Sequence, residues 1–159
     1  MINRDILESI ENGCLTQGDI AYLLDRLRNL GTKTGIAVTP KVIIFLKSKT
    51  YLDHTGREEV AKYLYMSSRT LSRKLKKEHT GFYELLNEER KHRCLNYMRC
   101  NKTCGREITE LLGLSDISQF YKYFKKWTGY SFSEAKAMLA ENHLNIDTIF
   151  HRHESKTGR

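Results

Sequence analysis

Glu59-Val60-Ala61-Lys62-Tyr63-Leu64-Tyr65-Met66-Ser67 and Glu107-Ile108-Thr109-Glu110-Leu111-Leu112-Gly113-Leu114-Ser115 are one short passage written twice, 48 positions apart. After one extra residue the likeness resumes. Leu71-Ser72-Arg73-Lys74-Leu75-Lys76-Lys77 matches Phe120-Tyr121-Lys122-Tyr123-Phe124-Lys125-Lys126, and Gly81 then matches Gly129. Each copy reads as helix, tight turn, helix. The first helix buries Val60, Ala61 and Leu64, or Ile108, Leu111 and Leu112. A small residue, Ala61, falls where two helices must approach closely, and Thr109 takes the equivalent place. Ser67 and Ser115 are expected to cap the second helices, because a serine oxygen can accept from the free amides of a first turn. The second helices bury Leu71 and Leu75, or Phe120 and Phe124, at i and i+4. Helix, turn and helix in this order form a helix-turn-helix unit, whose second helix enters a DNA major groove.

The composition of those second helices suits that role. Ser68–Glu78 carries Arg69, Arg73, Lys74, Lys76 and Lys77 against one acid, and Ser118–Trp127 carries Lys122, Lys125 and Lys126 with none. With Leu71 and Leu75 turned inward, Ser68, Arg69, Ser72 and Arg73 are the candidates for contact with base edges. Ile117, Ser118, Tyr121 and Lys122 are their counterparts in the second copy. Arginine pairs with guanine, and apolar groups meet thymine methyls. Lys76, Lys77, Lys125 and Lys126 come later on each helix and are the candidates for phosphate contact. Phe120, Phe124, Trp127 and Tyr123 are expected in the core rather than as stacking platforms for single strands.

Between the copies, Phe82 to Arg99 reads as one long helix, with Leu85, Leu86, Cys94, Leu95 and Met98 on its apolar face, Tyr97 on the flank, and Glu88 and Glu89 on the polar side. Eighteen helical residues reach about 27 Å, against about 34 Å between successive major-groove faces. A single chain could then present two reading helices. The expected fold is all-α: two helix-turn-helix units joined by a long linker helix, preceded by a short N-terminal helical hairpin.

That hairpin is read in residues 1–39. Ile2, Ile6, Leu7 and Ile10 recur at helical spacing up to Asn12-Gly13, and Ile20, Leu23, Leu24, Leu27 and Leu30 form a second stripe ending at Gly31. It serves either as a cap on the domain or as a contact for a homodimer or protein partner. Residues 32–39 read as a linker, Pro40 as part of a first helical turn, and 40–140 as the DNA-binding domain. Residues 141–159 read as a tail whose His151-Arg152-His153 is a solvated end.

Charge follows the same division. Residues 1–39 hold four Lys/Arg and five Asp/Glu, residues 40–140 hold twenty and eleven, and residues 141–159 hold three and three. The whole excess of a chain with net charge +8 lies in the middle, which suits a polyanion. No apolar run is long enough for a membrane span, and no signal peptide opens the chain, so a cytoplasmic, nucleoid-associated protein is expected with no membrane contact. Cys14, Cys94, Cys100 and Cys104 include no C-x-x-C pair. Cys94, Cys100 and Cys104 are read as ordinary buried or half-buried thiols rather than, with His92, as zinc ligands. Neither metal nor cofactor is expected. No G-x-S-x-G, Walker loop or H-E-x-x-H occurs, and His54, His79 and His92 are scattered on expected exposed positions, so no catalytic residues are assigned.

From Arg57 to Met138 the chain resembles the DNA-binding domain of the AraC/XylS family of bacterial transcription regulators. The resemblance is most specific in EITELLGLSDISQFYKYFKKWTGYSFSEAKAML, through Ile108, Leu112-Gly113, Ser115, Phe120, Phe124-Lys125-Lys126 and Gly129; Arg90 fits the family's linker-helix arginine. It implies a seven-helix bundle, double-stranded promoter DNA as partner, and activation through RNA polymerase. Several positions depart from the family pattern. Leu114 stands for the usual Phe, Phe132 for a common Pro, Ala135-Lys136 for a Tyr-Arg pair, and Cys94 for an alanine. Gly105 stands for an aliphatic residue and is expected to loosen the start of its helix. An alternative function keeps the fold, loses DNA binding, and modulates another regulator through protein contacts.

Overall fold

The computed structural model describes residues 37–53, 55–100, 104–141 and 146–151. Among them there are helices and no strands: α1 Val38–Ser48, α2 Arg57–Tyr63, α3 Ser68–Lys77, α4 Phe82–Arg99, α5 Gly105–Leu111, α6 Ile117–Thr128, α7 Phe132–Ala140 and α8 Ile146–His151. The all-α expectation therefore holds. Of the helical hairpin and linker read in residues 1–39, residues 1–36 lie outside the described residues, and α1 begins at Val38, inside the expected linker and two residues before Pro40. The described residues form two compact units, one drawn from 37–50 and 55–86, the other from 51–53 and 87–151. The division falls inside the long helix α4 rather than at a loop.

In the first unit α1 and α2 pack on α3. Val38, Val42, Phe45 and Leu46 form the buried stripe of α1, with Pro40 in its first turn. Ala37, at the N-cap of α1, has no side-chain oxygen to offer. The Val38 and Thr39 amides donate instead to the two carboxylate oxygens of Glu78, both at 2.7 Å. Glu78 is the C-cap residue of α3, so one carboxylate ties the start of α1 to the end of the second helix. Partial burial acts to raise its pKa, but hydrogen bonds from Thr39 and Val38 and the nearby Lys74 ammonium outweigh it and hold it below the ordinary value.

Helix α2 carries Glu58 and Glu59 in its first turn, where the helix dipole favours acids. Val60 and Ala61 are buried, while Leu64 is only half-buried. The helix ends in a Schellman turn: the Tyr65 amide donates to the Lys62 carbonyl and the Met66 amide to that of Ala61. The turn requires a left-handed residue, and Tyr65 supplies it at φ +54° with a side chain 82% exposed.

The second unit builds the same turn with glycine. Gly113 has φ +61°, its amide donates to Glu110, and that of Leu114 donates to Thr109. Here space as well as torsion demands glycine. A Cβ on Gly113 would lie 2.1 Å from the Leu52 carbonyl carbon. Arg90 of α4 closes the turn from the other side, donating from Nε to the Leu112 carbonyl at 2.9 Å and from Nη2 to that of Gly113 at 3.0 Å. It thus satisfies carbonyls that a helix end leaves open.

Around that turn lies a core of Cys94, Met98, Ile108, Leu112, Leu114, Phe120, Phe124, Trp127, Phe132, Ala135, Ile146, Ile149 and Phe150. Phe132 meets Phe120 and Phe124 edge-on, each at 5.1 Å between centroids, and Phe150 meets Phe124 at 5.8 Å. Ser131 caps α7 in a reciprocal capping box with Glu134.

Several other sequence expectations change. Residues 146–151, read as tail, form α8 and contribute Ile146, Ile149 and Phe150 to the core, because three apolar side chains on one short helix need cover. Glu89, placed on the polar side of α4, is buried, and its charge is met by Arg93 one turn on at 2.8 Å. Tyr123 is half-buried and stacked on Trp127 rather than fully inside, and Leu111 likewise stays half-buried. The matching of Gly81 with Gly129 also fails. Gly129 is left-handed at φ +80° and ends α6, whereas in the first unit His79, at φ +58°, ends α3. Gly81 instead donates its amide to Glu84 at the head of α4.

The left-handed position costs a non-glycine residue about 1–2 kcal/mol. Tyr65→Gly is therefore expected to raise stability by about 1 kcal/mol. Gly113→Ala is expected to lower it by more than about 2 kcal/mol, since strain and overlap with the Leu52 backbone add. Urea unfolding of the two variants checks the opposite signs.

Candidate nucleic-acid interface

Each candidate reading helix is held by two inward residues one turn apart. Leu71 and Leu75 fix α3, and Phe120 and Phe124 fix α6; all four are fully buried. What remains on the outer side is polar or cationic in α3, and in α6 a mixture of apolar, hydroxyl and cationic groups. In α3, Arg69 and Arg73 are exposed and Ser68 and Ser72 are half-buried. In α6, Ile117, Ser118, Tyr121 and Lys122 are all exposed. Lys76, Lys77, Lys125 and Lys126 are exposed near the C-terminal ends of their helices. Within each unit the structure thus gathers the sequence candidates on one helix face.

The caps correct one sequence assignment. Ser67 caps α3, accepting from the Thr70 amide at 3.1 Å. In the second unit the cap is Asp116, not Ser115: its carboxylate accepts from the Gln119 amide at 2.8 Å. Ser115 is the extra residue of the repeat, and its hydroxyl donates to the Asp116 carboxylate at 3.0 Å. With Asp116 in register with Ser67, Ile117 and Tyr121 fall opposite Ser68 and Ser72. The Gln119 amide first, and then the Ser115 hydroxyl, hold the Asp116 carboxyl below the ordinary aspartate value.

Three residues beside the candidates were not read as part of the site, Tyr123 having been expected in the core. Asp116, Gln119 and Tyr123 join Ser118, Lys122 and Lys126 around an open recess of about 560 Å³ along α6. The spacing of Ser118, Lys122 and Lys126 on one helix face was the available signal. Gln119 and Tyr123 belong to the neighbouring row, which the repeat alone does not single out. Tyr123 also lies under the Arg90 guanidinium, 6.0 Å from its carbon to the ring centroid.

Gly105, expected to loosen the start of its helix, is the first helical residue, behind an N-cap residue, Cys104, that makes no side-chain cap. The Thr109 hydroxyl donates to the Gly105 carbonyl at 2.7 Å. The thiols differ from expectation. Cys94 is buried, which pushes its pKa up and keeps it un-ionised, but Cys100 and Cys104 are exposed. His92 is half-buried beside Asn96 rather than exposed. Among the described residues no three His, Cys, Asp or Glu side chains are grouped to hold a metal, and no helix is long and apolar enough to cross a membrane.

Two units of this build, each presenting a capped second helix with an exposed cationic face, define a helix-turn-helix domain of the class found in DNA-binding transcription regulators. Residues 60–138, about half of the chain, match the family described as a helix-turn-helix domain. The chain belongs, through these residues, to the AraC/XylS family of helix-turn-helix regulators. It is 36% identical over 77 residues to the ornithine utilization regulator of Pseudomonas aeruginosa, which covers 48% of this chain and 23% of that protein. It is 32% identical over 74 residues to the HTH-type transcriptional regulator VqsM of the same organism, covering 46% and 23%. An uncharacterized HTH-type transcriptional regulator of Mycobacterium tuberculosis is 30% identical over 121 residues, 76% of this chain and 33% of that protein. The matches thus span a quarter to a third of these relatives' lengths. No solved structure matches the chain at a significant level.

The unlike caps give the two helices unlike pH behaviour. The depressed Asp116 carboxyl stabilises α6 above the unfolded aspartate value, and that contribution is lost as pH falls through its folded value. The Ser67 cap does not titrate. Amide exchange is expected to lose protection at Gln119 as pH drops below the aspartate range, while Thr70 keeps its protection.

Proposed function

We propose that the chain binds double-stranded promoter DNA in a sequence-specific manner and regulates transcription, with α3 and α6 lying in successive major grooves. The observation that carries this reading is the shared build of the two helices. Each turns an apolar pair one helical turn apart into its core, joined in α6 by Trp127, and leaves exposed cations on the other side, behind a capped first turn. Arg69 and Arg73 are the base-reading cations of the first unit, with Ser68 and Ser72 beside them. Ile117, Ser118, Tyr121 and Lys122 read in the second. Lys76, Lys77, Lys125 and Lys126 neutralise phosphates. The regulator names of the relatives support the transcriptional role. Activation through RNA polymerase, and a homodimer or partner contact made by residues 1–39, complete the proposal, with action at the nucleoid in the cytoplasm.

Binding of a randomised duplex pool by the full chain tests it. Affinity is expected to fall steeply with salt, and each of the four lysines replaced by alanine should lower the salt slope by about 1. Arg73→Ala should lose about 1–3 kcal/mol of discrimination at one base position. Equal weakening on every sequence would show Arg73 to be a phosphate contact. No duplex binding at low salt, with a regulator protein co-purifying, would favour the protein-contact alternative.

A further inference from the structure

The second unit differs from the first in what it offers a base edge. Where α3 has Ser68 and Ser72, α6 has Ile117 and Tyr121, 39% and 43% exposed. Neither side chain stands free. A Cβ built on Gly105 would lie 3.3 Å from Ile117 Cδ1, 3.4 Å from Tyr121 Oη and 3.6 Å from Phe132 Cε1. Both side chains therefore lean back across the start of α5, into the space a larger residue at 105 would occupy. The Tyr121 ring also lies against Phe132, nearly parallel at 27° with 5.9 Å between centroids. In the first unit the residue 48 positions earlier is Arg57, which is exposed.

Gly105 is an expensive choice where it stands. It opens a helix whose N-cap residue, Cys104, makes no side-chain cap. At this first helical position glycine adds neither a capping oxygen nor any apolar contact of its own. Its φ is not in the left-handed region, so torsion does not require it. What does favour it is the room given to Ile117 and Tyr121.

We propose that Gly105 is the positioning residue for base reading by the second unit: its bare Cα holds Ile117 and Tyr121 back as a pre-set apolar face that selects thymine methyls. This rests on the DNA-reading role assigned to α6 above. An aliphatic methyl and an aromatic ring match the thymine C5-methyl in the major groove. Holding both against the protein before binding spares the cost of ordering them afterwards. A Cβ at position 105 crowds Ile117 Cδ1 and touches Tyr121, and a longer side chain there displaces both and spoils that face.

The test compares the full-length chain with Gly105→Ala and Gly105→Leu. Sites are selected from a randomised duplex pool, Tyr121 ring resonances are followed by NMR in the free proteins, and unfolding midpoints are measured alongside. The wild type is expected to select thymines in the half-site bound by α6. Gly105→Leu should lower that preference about tenfold and leave the α3 half-site within about twofold. Its Tyr121 resonances should move toward those of a tyrosine free of Phe132. Gly105→Ala, the variant better suited to fold, should shift both readouts in the same direction by less. Unchanged Tyr121 resonances in both folded variants would overturn the positioning role. Moved resonances with equal loss over both half-sites, or with thymine preference intact, would overturn the link to base reading. A wild type that binds no duplex removes the DNA reading itself, while the ring resonances still decide the posture of Tyr121.

Discussion

One backbone requirement governs both units: a residue in the left-handed region must end the first helix so that the second can start. Only there do the Schellman hydrogen bonds close and the chain reverse within a few residues. The direction of α3 and α6, and therefore which side chains face outward, follows from that reversal. The two units meet it differently. Gly113 meets it without torsional strain and is enclosed by Leu52 and by the Arg90 guanidinium, whereas Tyr65 meets it under strain with its side chain in solvent.

The same asymmetry runs through the rest of the fold. The second unit has an aromatic core of Phe120, Phe124, Phe132, Phe150 and Trp127, an acid cap and an added helix α8. The first is aliphatic at its seam, capped by serine, and steadied by the Glu78 carboxylate on the amides of α1. Duplication of a pattern thus left the turn and the two-residue seam alike while the supports around them diverged. Interfaces built from such units can differ in chemistry: two arginines with small hydroxyl side chains in one, an apolar pair with a lysine in the other.

Much of this was legible because it is periodic. Leu71 with Leu75 and Phe120 with Phe124 repeat at helical spacing, and spacing alone says which face is buried. The long helix α4 was readable from unbroken helical patterning without proline or glycine. Failures came where a residue's role depends on something distant. Ser115 looked like a cap by analogy with Ser67, yet the one-residue insertion gave the task to Asp116. Glu89 looked solvated because its neighbours in the chain are polar, but burial is set by what packs over it. Residues 146–151 looked like a tail because a six-residue helix has too little periodicity to stand out.

The sequence by itself determined that the chain is helical, that it carries two helix-turn-helix units, and which helix faces turn inward, since these follow from local periodicity and turn chemistry. Only the tertiary structure decided that Glu78 caps a helix some forty residues earlier, that Gly113 must be glycine for want of space as well as torsion, and that Ile117 and Tyr121 rest over Gly105. Those outcomes depend on atoms brought together through space, and a close approach between distant segments leaves no mark in the spacing of residues along the chain.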